Sequence, residues 1–418
     1  MRTVLWRTSM LLVALISLQT NAAQVMSLQE AEQLALQRDT MIQAIQKNEQ
    51  ALREDAVADN SLPDPEIKLG FLNFPTDTFS RTQEPMTQIQ IGIQQMFPRG
   101  NSLDLKSART NLMADMQNNN LAGRKRDVLL QLRQSWFELY YWNQSEKVIS
   151  LNIKTFKQLV GITQSNYASG RRNQQDVTQA QLELGKLEDR LFSIKEMQEK
   201  VNAMLFKWLG EEYLHRVLSI SWPHMSDVPK RQMITQSLHK HPLLLSENTK
   251  VDVAETSMAL VRESYKPGFM IDVSYGFRDG KNANGSERSD FASAMVKMDL
   301  PLFTGKRQDR QFAASQQRLF AARDEKEEKY RTLLRLLDET YANWTRLDQR
   351  LEHYRSSLLP KAKENTQAAL NAYQSNATPF TTLIRAQINE LDTELQSLRL
   401  QVDFAKAQAG LFYLAGEK

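Results

Sequence analysis

Glu66, Lys68, Gln88, Gln90, Asp272, Lys297 and Asp299 sit in four short segments where polar and apolar residues alternate. In the first, Ile67, Leu69 and Phe71 alternate with Glu66, Lys68 and Gly70. Ile89, Ile91 and Ile93 then alternate with Gln88, Gln90, Gly92 and Gln94. Phe269, Ile271, Val273, Tyr275 and Phe277 alternate with Met270, Asp272, Ser274 and Gly276, and Val296, Met298, Leu300 and Leu302 with Met295, Lys297, Asp299 and Pro301. A period of two marks strands with one apolar and one largely polar face. The chemistry of such a polar face is hydration and hydrogen bonding, not bond making.

Reactive chemistry has little support elsewhere. No acid, base and nucleophile converge in sequence, and no Gly-rich loop ends in Lys-Ser or Lys-Thr to hold a phosphate. There is no Cys, which excludes disulfides, thiolate metal sites and lipid attachment to an N-terminal Cys. The histidines, His215, His224, His239, His241 and His353, are scattered. Only His239 and His241 are near neighbours, and they lack the carboxylate or Cys companions of a metal site. No cofactor and no metal site are expected. Asp176 stands where a helix begins, so its carboxylate answers the helix dipole if it has no other task.

The elements that carry these residues follow from proline placement. No proline lies between Pro98 and Pro223, or between Pro301 and Pro360, and both gaps are rich in Leu, Gln, Glu, Lys, Arg and Ala. The pattern predicts helices over about 104–168, 172–208, 307–374 and 379–414, with shorter ones near 27–59 and 232–264. The longest would extend about 95–100 Å, and rods of that length pack as coiled coils. Val128, Leu132, Trp136, Leu139 and Tyr140, like Leu333, Leu337, Tyr341 and Trp344, recur at helical steps and read as core.

The chain repeats itself. Tyr167-Ala168-Ser169-Gly170 followed by Ala180-Gln181 answers Tyr373-Gln374-Ser375-Asn376 followed by Ala386-Gln387, and Gly210-Glu211 answers Gly416-Glu417. Leu36 and Pro65 likewise answer Leu238 and Pro267. The expected organisation is a first repeat over 24–210, a linking segment over 211–231 and a second repeat over 232–418. Each repeat holds one hairpin, at about 66–97 and 268–303, with turn-rich loops near 73–86 and 279–290.

Residues 1–23 read as a secretory signal. Arg2 and Arg7 precede the apolar run Met10–Ile16, and Ala22 and Ala23 offer small residues for cleavage; an uncleaved anchor is the alternative. Without that segment the formal charge falls from +4 to +2, which gives no reason to expect a nucleic-acid partner. No later stretch is long and apolar enough for a membrane helix. The strands, about nine to twelve residues tall, match a strand crossing an outer membrane. Four strands cannot close a barrel and an open edge cannot sit in lipid, so an oligomer is expected; three protomers would give twelve strands. The competing arrangement is a soluble sandwich with its apolar faces inward.

In this order the residues resemble the TolC-like outer membrane efflux proteins, over essentially the whole mature chain. The likeness rests on the duplication, on Leu62-Pro63-Asp64-Pro65 leading into the first hairpin, and on Met96-Phe97-Pro98-Arg99-Gly100 leaving it. It rests also on Asp299-Leu300-Pro301-Leu302-Phe303-Thr304-Gly305, on Asp176-Val177 after Tyr167-Ala168-Ser169-Gly170, and on Leu359-Pro360. The two hairpin flanks are most similar to the branch serving heavy-metal resistance-nodulation-division (RND) pumps. The resemblance implies a mainly α fold: a long helical tunnel in the periplasm below a trimeric twelve-stranded barrel in the outer membrane. It implies a homotrimeric, passive exit duct with two partners, a periplasmic adaptor protein and an inner-membrane RND pump, and not an enzyme. Protein secretion, drug efflux and a periplasmic coiled-coil scaffold are the other readings. The helix reversals become periplasmic tips, with Tyr167, Gly170, Arg171, Arg172, Tyr373 and Asn376 meeting the adaptor. Asp176, Thr382 and Arg385 would line the aperture. Asn376 departs from the family's Gly, and Thr382 and Arg385 stand where some relatives carry aspartates, which favours a mixed ring of Asp176 and Arg385.

Overall fold

The computed structural model describes residues 25–215, 222 and 227–416. The expected signal over 1–23, residues 216–221 and 223–226 of the linking segment (His224 among them), Glu417 and the His215 side chain lie outside the described residues.

The chain opens on α1 (Leu28–Arg38) and α2 (Thr40–Asp59). A single helix over 27–59 was the expectation; Asp39 divides it. Its backbone is extended (φ −64°, ψ 107°), and its carboxylate accepts the N–H of Ile42 at 2.8 Å as the cap of α2. Ser27 and Glu30 form a reciprocal capping box on α1. The second repeat does the same: α5 (Arg231–Ser237), a short 3₁₀ turn over Leu238–Lys240, then α6 (Pro242–Glu263). His241 caps α6 as Asp39 caps α2, and Pro242 occupies the first turn, where its missing N–H costs nothing.

Four strands form one antiparallel sheet in the order β1 (Glu66–Leu72), β2 (Gln88–Phe97), β3 (Gly268–Phe277) and β4 (Phe291–Asp299). β4 ends at Asp299, so Leu300 and Leu302, expected in the strand, lie beyond it; Pro301 cannot donate to a ladder. The two hairpins are joined by pairing of β2 with β3, from Ile89 opposite Phe277 to Phe97 opposite Phe269.

The long helices are α3 (Ser102–Ala168), α4 (Gln174–Leu209), α7 (Gln308–His353), α8 (Leu359–Gln374) and α9 (Phe380–Ala415). α3 runs unbroken for 67 residues, about 100 Å. Its counterpart, expected as one helix over 307–374, is interrupted by a π-helical turn at Tyr354–Leu358. Pro360 explains it: the ring lacks an N–H and collides with the carbonyl four residues back, and a widened turn relieves both. The spacing is otherwise constant. Ser102 and Gln308, Ala168 and Gln374, Gln174 and Phe380, and Leu209 and Ala415 are element ends 206 residues apart.

The helices pack around two kinds of core. Towards the reversals, Ile149, Phe156 and Leu159 of α3 meet Leu187 of α4, Tyr373 of α8, and Phe380 and Leu383 of α9. Nearer the sheet each repeat has its own cluster. Met26, Leu132, Trp136 and Leu205 fill one; Leu238, Leu337, Leu411 and Leu414 fill the other. The repeats are tied across α3 and α9 by an ion network. Arg399 donates to both carboxylate oxygens of Glu138, at 2.9 and 2.8 Å, and lies over the ring of Tyr141, while Lys406 also bonds Glu138. Burial opposes the charge on Glu138, yet the bonds from Arg399 and Lys406 hold its carboxyl below the usual range.

Candidate functional site

The strand register fixes which side chains share a face. Directly paired residues in an antiparallel sheet point the same way. Glu66 pairs with Gln94, Lys68 with Gly92 and Gly70 with Gln90; Gln90 pairs with Gly276 and Gln94 with Asp272; Met270 pairs with Lys297 and Gly268 with Asp299. Gln88, opposite Leu72, belongs to the same set. All seven polar residues singled out from the alternation therefore stand on one face. The opposite face carries Ile67, Leu69, Phe71, Ile91, Ile93, Ile271, Val273, Val296 and Met298.

Exposure runs against the habit of soluble proteins. Asp272 and Ser274 are each 7% exposed, whereas Val273 between them is 51% exposed and Ile67 is 74% exposed. The polar face is the crowded, bonded one. Lys68 is ion-paired to Asp272, Gln90 donates to Ser274 Oγ at 2.6 Å, Gln94 to Glu66, and Arg99 to Asp299. A sheet arranged this way needs an apolar solvent outside it and water inside. At its far end the two hairpin loops hold each other. Arg278 donates to the Pro85 carbonyl at 2.7 Å, Arg288 to that of Glu84 at 3.0 Å, and Arg81 pairs with Asp279 at 2.7 Å.

The other candidate region is the pair of helix reversals. α3 ends in a Schellman turn: Gly170 has φ +68°, its N–H goes to Tyr167, and that of Arg171 to Asn166. α8 ends the same way at Asn376, with φ +60° and with N–H bonds from Asn376 to Tyr373 and from Ala377 to Ala372. Asn replaces Gly without changing the turn because it tolerates the left-handed conformation better than other side chains. Three of the six tip residues come together. Arg172 donates to Asn376 Oδ1 at 2.8 Å and covers the ring of Tyr373 at 4.9 Å. Tyr373 is buried against Phe380, while its repeat counterpart Tyr167 is exposed, as is Arg171. Asp176 is half-buried near the start of α4; Thr382 and Arg385 are exposed on α9. The Asp176 carboxylate and the Arg385 guanidinium do not pair within the protomer.

His239 stacks on Tyr330, and His241 caps α6 beside Tyr413, so the two point to different neighbours. No group of three or more His, Cys, Asp or Glu side chains placed to hold a metal occurs among the described residues. No helix among them is long and apolar enough to cross a membrane.

Residues 233–417 match the family model described as outer membrane efflux protein. This stretch, somewhat under half of the chain, is similar to that family. The fold extends the likeness to the whole described chain. CusC, solved in a study of folding and transmembrane channel formation, superposes with a TM-score of 0.79 at 13% identity, over 94% of this chain and 92% of that one. The outer membrane protein VceC of Vibrio cholerae gives 0.76 at 15% identity, over 93% and 96%. The open state of the MtrE outer membrane channel of Neisseria gonorrhoeae gives 0.75 at 13%, over 93% and 89%. No curated protein sequence matches the chain. The protein thus shares its fold with outer-membrane efflux channels, in which a long α-helical tunnel joins a barrel formed by trimerisation. These structural relatives are described as outer membrane proteins or channels. The ion network of Glu138, Arg399 and Lys406 was not legible as a site in sequence. Arg399 and Asp403 show as a helical i,i+4 pair, but Glu138 lies 261 residues away.

Proposed function

We propose that three copies of this chain form the exit duct of a tripartite efflux system, with a periplasmic adaptor and an inner-membrane RND pump as partners. The observation that carries this reading is the inverted sheet: an exposed apolar face, a bonded polar face, and free edges at β1 and β4 that only neighbouring copies can satisfy. Twelve strands result, with Glu66, Lys68, Gln88, Gln90, Asp272, Lys297 and Asp299 towards the lumen. α4 supports the assembly. Leu182, Phe192 and Met204 are exposed on it, Phe192 by 71%, as expected of a helix flank awaiting a neighbour. Residues 24–210 and 232–418 act as two repeats of one wall, joined by 211–231. Heavy-metal cations are the cargo favoured by the residues flanking the hairpins; drug efflux and protein secretion use the same architecture. Chemical cross-linking in detergent is expected to yield a three-subunit species. A monomer or an even-numbered assembly overturns the closure.

The reversals are proposed as the adaptor-facing tips, with Asp176, Thr382 and Arg385 at the aperture. Since Asp176 and Arg385 do not pair within a protomer, a mixed ring has to form between protomers, three carboxylates against three guanidiniums. Exposed pairs contribute about 0–1 kcal/mol each, so the ring acts together or not at all. Asp176→Ala and Arg385→Ala are expected to raise single-channel conductance in planar bilayers. Parent-like conductance in both moves the aperture elsewhere.

A further inference from the structure

Lys68 on β1 is ion-paired to Asp272 on β3, with β2 between them. Two strands apart, most side chains on one face are separated by a third. Here the intervening position is Gly92, directly opposite Lys68 on one side and Ser274 on the other. A Cβ at Gly92 would lie 2.8 Å from Ser274 Cβ and 3.1 Å from the Val273 carbonyl, so the site admits no side chain. The missing side chain opens a channel along the sheet surface, through which the long stem of Lys68 reaches the Asp272 carboxylate. The Asp272 side chain is 10% exposed and the Lys68 side chain 43% exposed. The carboxylate is therefore held beneath its cation.

The remaining charges on this face balance in number. Asp299 is bonded by Arg99, and Glu66 and Lys297 bring one charge of each sign. With Arg99, just past the end of β2, counted beside Lys68 and Lys297, three cations meet the three carboxylates of one protomer's polar face, and the pair with the most deeply set carboxylate depends on a single lysine. We propose that Lys68 sets the ion discrimination of the barrel: by covering Asp272 it keeps the lumen nearly neutral, so that the duct admits small cations and anions alike. Removing it would bare a ring of three carboxylates in a low-dielectric wall, where rings of one sign govern which ions pass. The inference rests on the trimeric-duct reading.

The test is the reversal potential of purified trimers in planar bilayers under a tenfold KCl gradient. The parent is expected near zero. Lys68→Met, which keeps the stem and removes the charge, should raise the potassium-to-chloride permeability ratio about threefold or more. Asp272→Asn should move it the other way, and the double variant should return to the parent value. Lys68→Arg should leave it unchanged. Opposite signs with cancellation in the double variant are not produced by a merely structural role. Unmoved reversal potentials in conducting Lys68→Met and Asp272→Asn trimers, or shifts of the same sign, overturn the assignment of Lys68. A parent that forms no channel overturns the duct itself.

Discussion

Val273→Arg is expected to destabilise the membrane-inserted protein by about 2–4 kcal/mol, the range for a cation on the lipid face near the midplane of a barrel. Val273 lies midway along β3, paired with Ile93 on one side and Ala294 on the other, and its side chain is on the apolar face. Ile91→Arg, between Leu69 and Tyr275, should cost a similar amount. The control belongs on the polar face. Gln90 stands between Gly70 and Gly276, two positions without side chains, so an arginine there has room and water. Gln90→Arg is expected to lose little beyond the bond to Ser274 and to change conductance instead. Ser274 is the poorer control, because its Cβ is pressed against Gly92. Urea titration of the proteins folded into lipid vesicles reads the difference. Equal loss for Val273→Arg and Gln90→Arg would reverse the assignment of the two faces.

Much of this arrangement is written locally. Alternation over 66–72 and 268–277 needs no knowledge of partners, because each strand must segregate its own faces. The proline-free runs state helix length in the same way. What local pattern misses is where a backbone is allowed to bend. Nothing in the apolar periodicity of 27–59 marks Asp39 as a break; its cap bond to Ile42 and its ion pair with Arg124 at 2.8 Å do, and Arg124 lies in the next long helix. Pro360 warns of a disturbance, but whether the helix stops, kinks or widens depends on packing around Tyr354–Leu358. The tips were partly legible for a related reason. The Tyr-Ala-Ser-Gly and Tyr-Gln-Ser-Asn turns are local, whereas the difference between exposed Tyr167 and buried Tyr373 comes from contacts across the fold, with Phe380 packed against the ring and Arg172 of the other repeat lying over it. Sequence symmetry therefore locates the reversals and does not say which half of the pair is covered.

The same symmetry places two different groups at one structural position, and the difference is measurable. Asp39 and His241 each cap a helix of the wall, but Asp39 is answered by Arg124, whereas His241 is buried facing Arg126 and the ring and backbone of Tyr413. Nδ1 accepts the N–H of Leu243 at 3.3 Å, which requires a neutral imidazole at that nitrogen. Burial first, and the charge of Arg126 second, push the His241 pKa down to about 4. In the unfolded chain a histidine titrates near 6.5. Between these values the unfolded state binds the extra proton, so stability is full above about pH 6.5 and declines as the pH falls towards 4. The loss over that window amounts to about 3 kcal/mol. Carboxylates held low in the fold, such as Glu138, begin to lose their contribution only as the pH falls into the ordinary carboxylate range, so the interval between pH 7 and pH 5 belongs mainly to His241. The thermal midpoint of the detergent-solubilised protein should accordingly drop between pH 7 and pH 5. His241→Asn keeps a short polar cap for α6 and removes the titrating ring; its midpoint should stay level over the same interval. A parent whose midpoint does not move between pH 7 and pH 5, or an asparagine variant that falls in step with it, would show that His241 is not the group that takes up the proton.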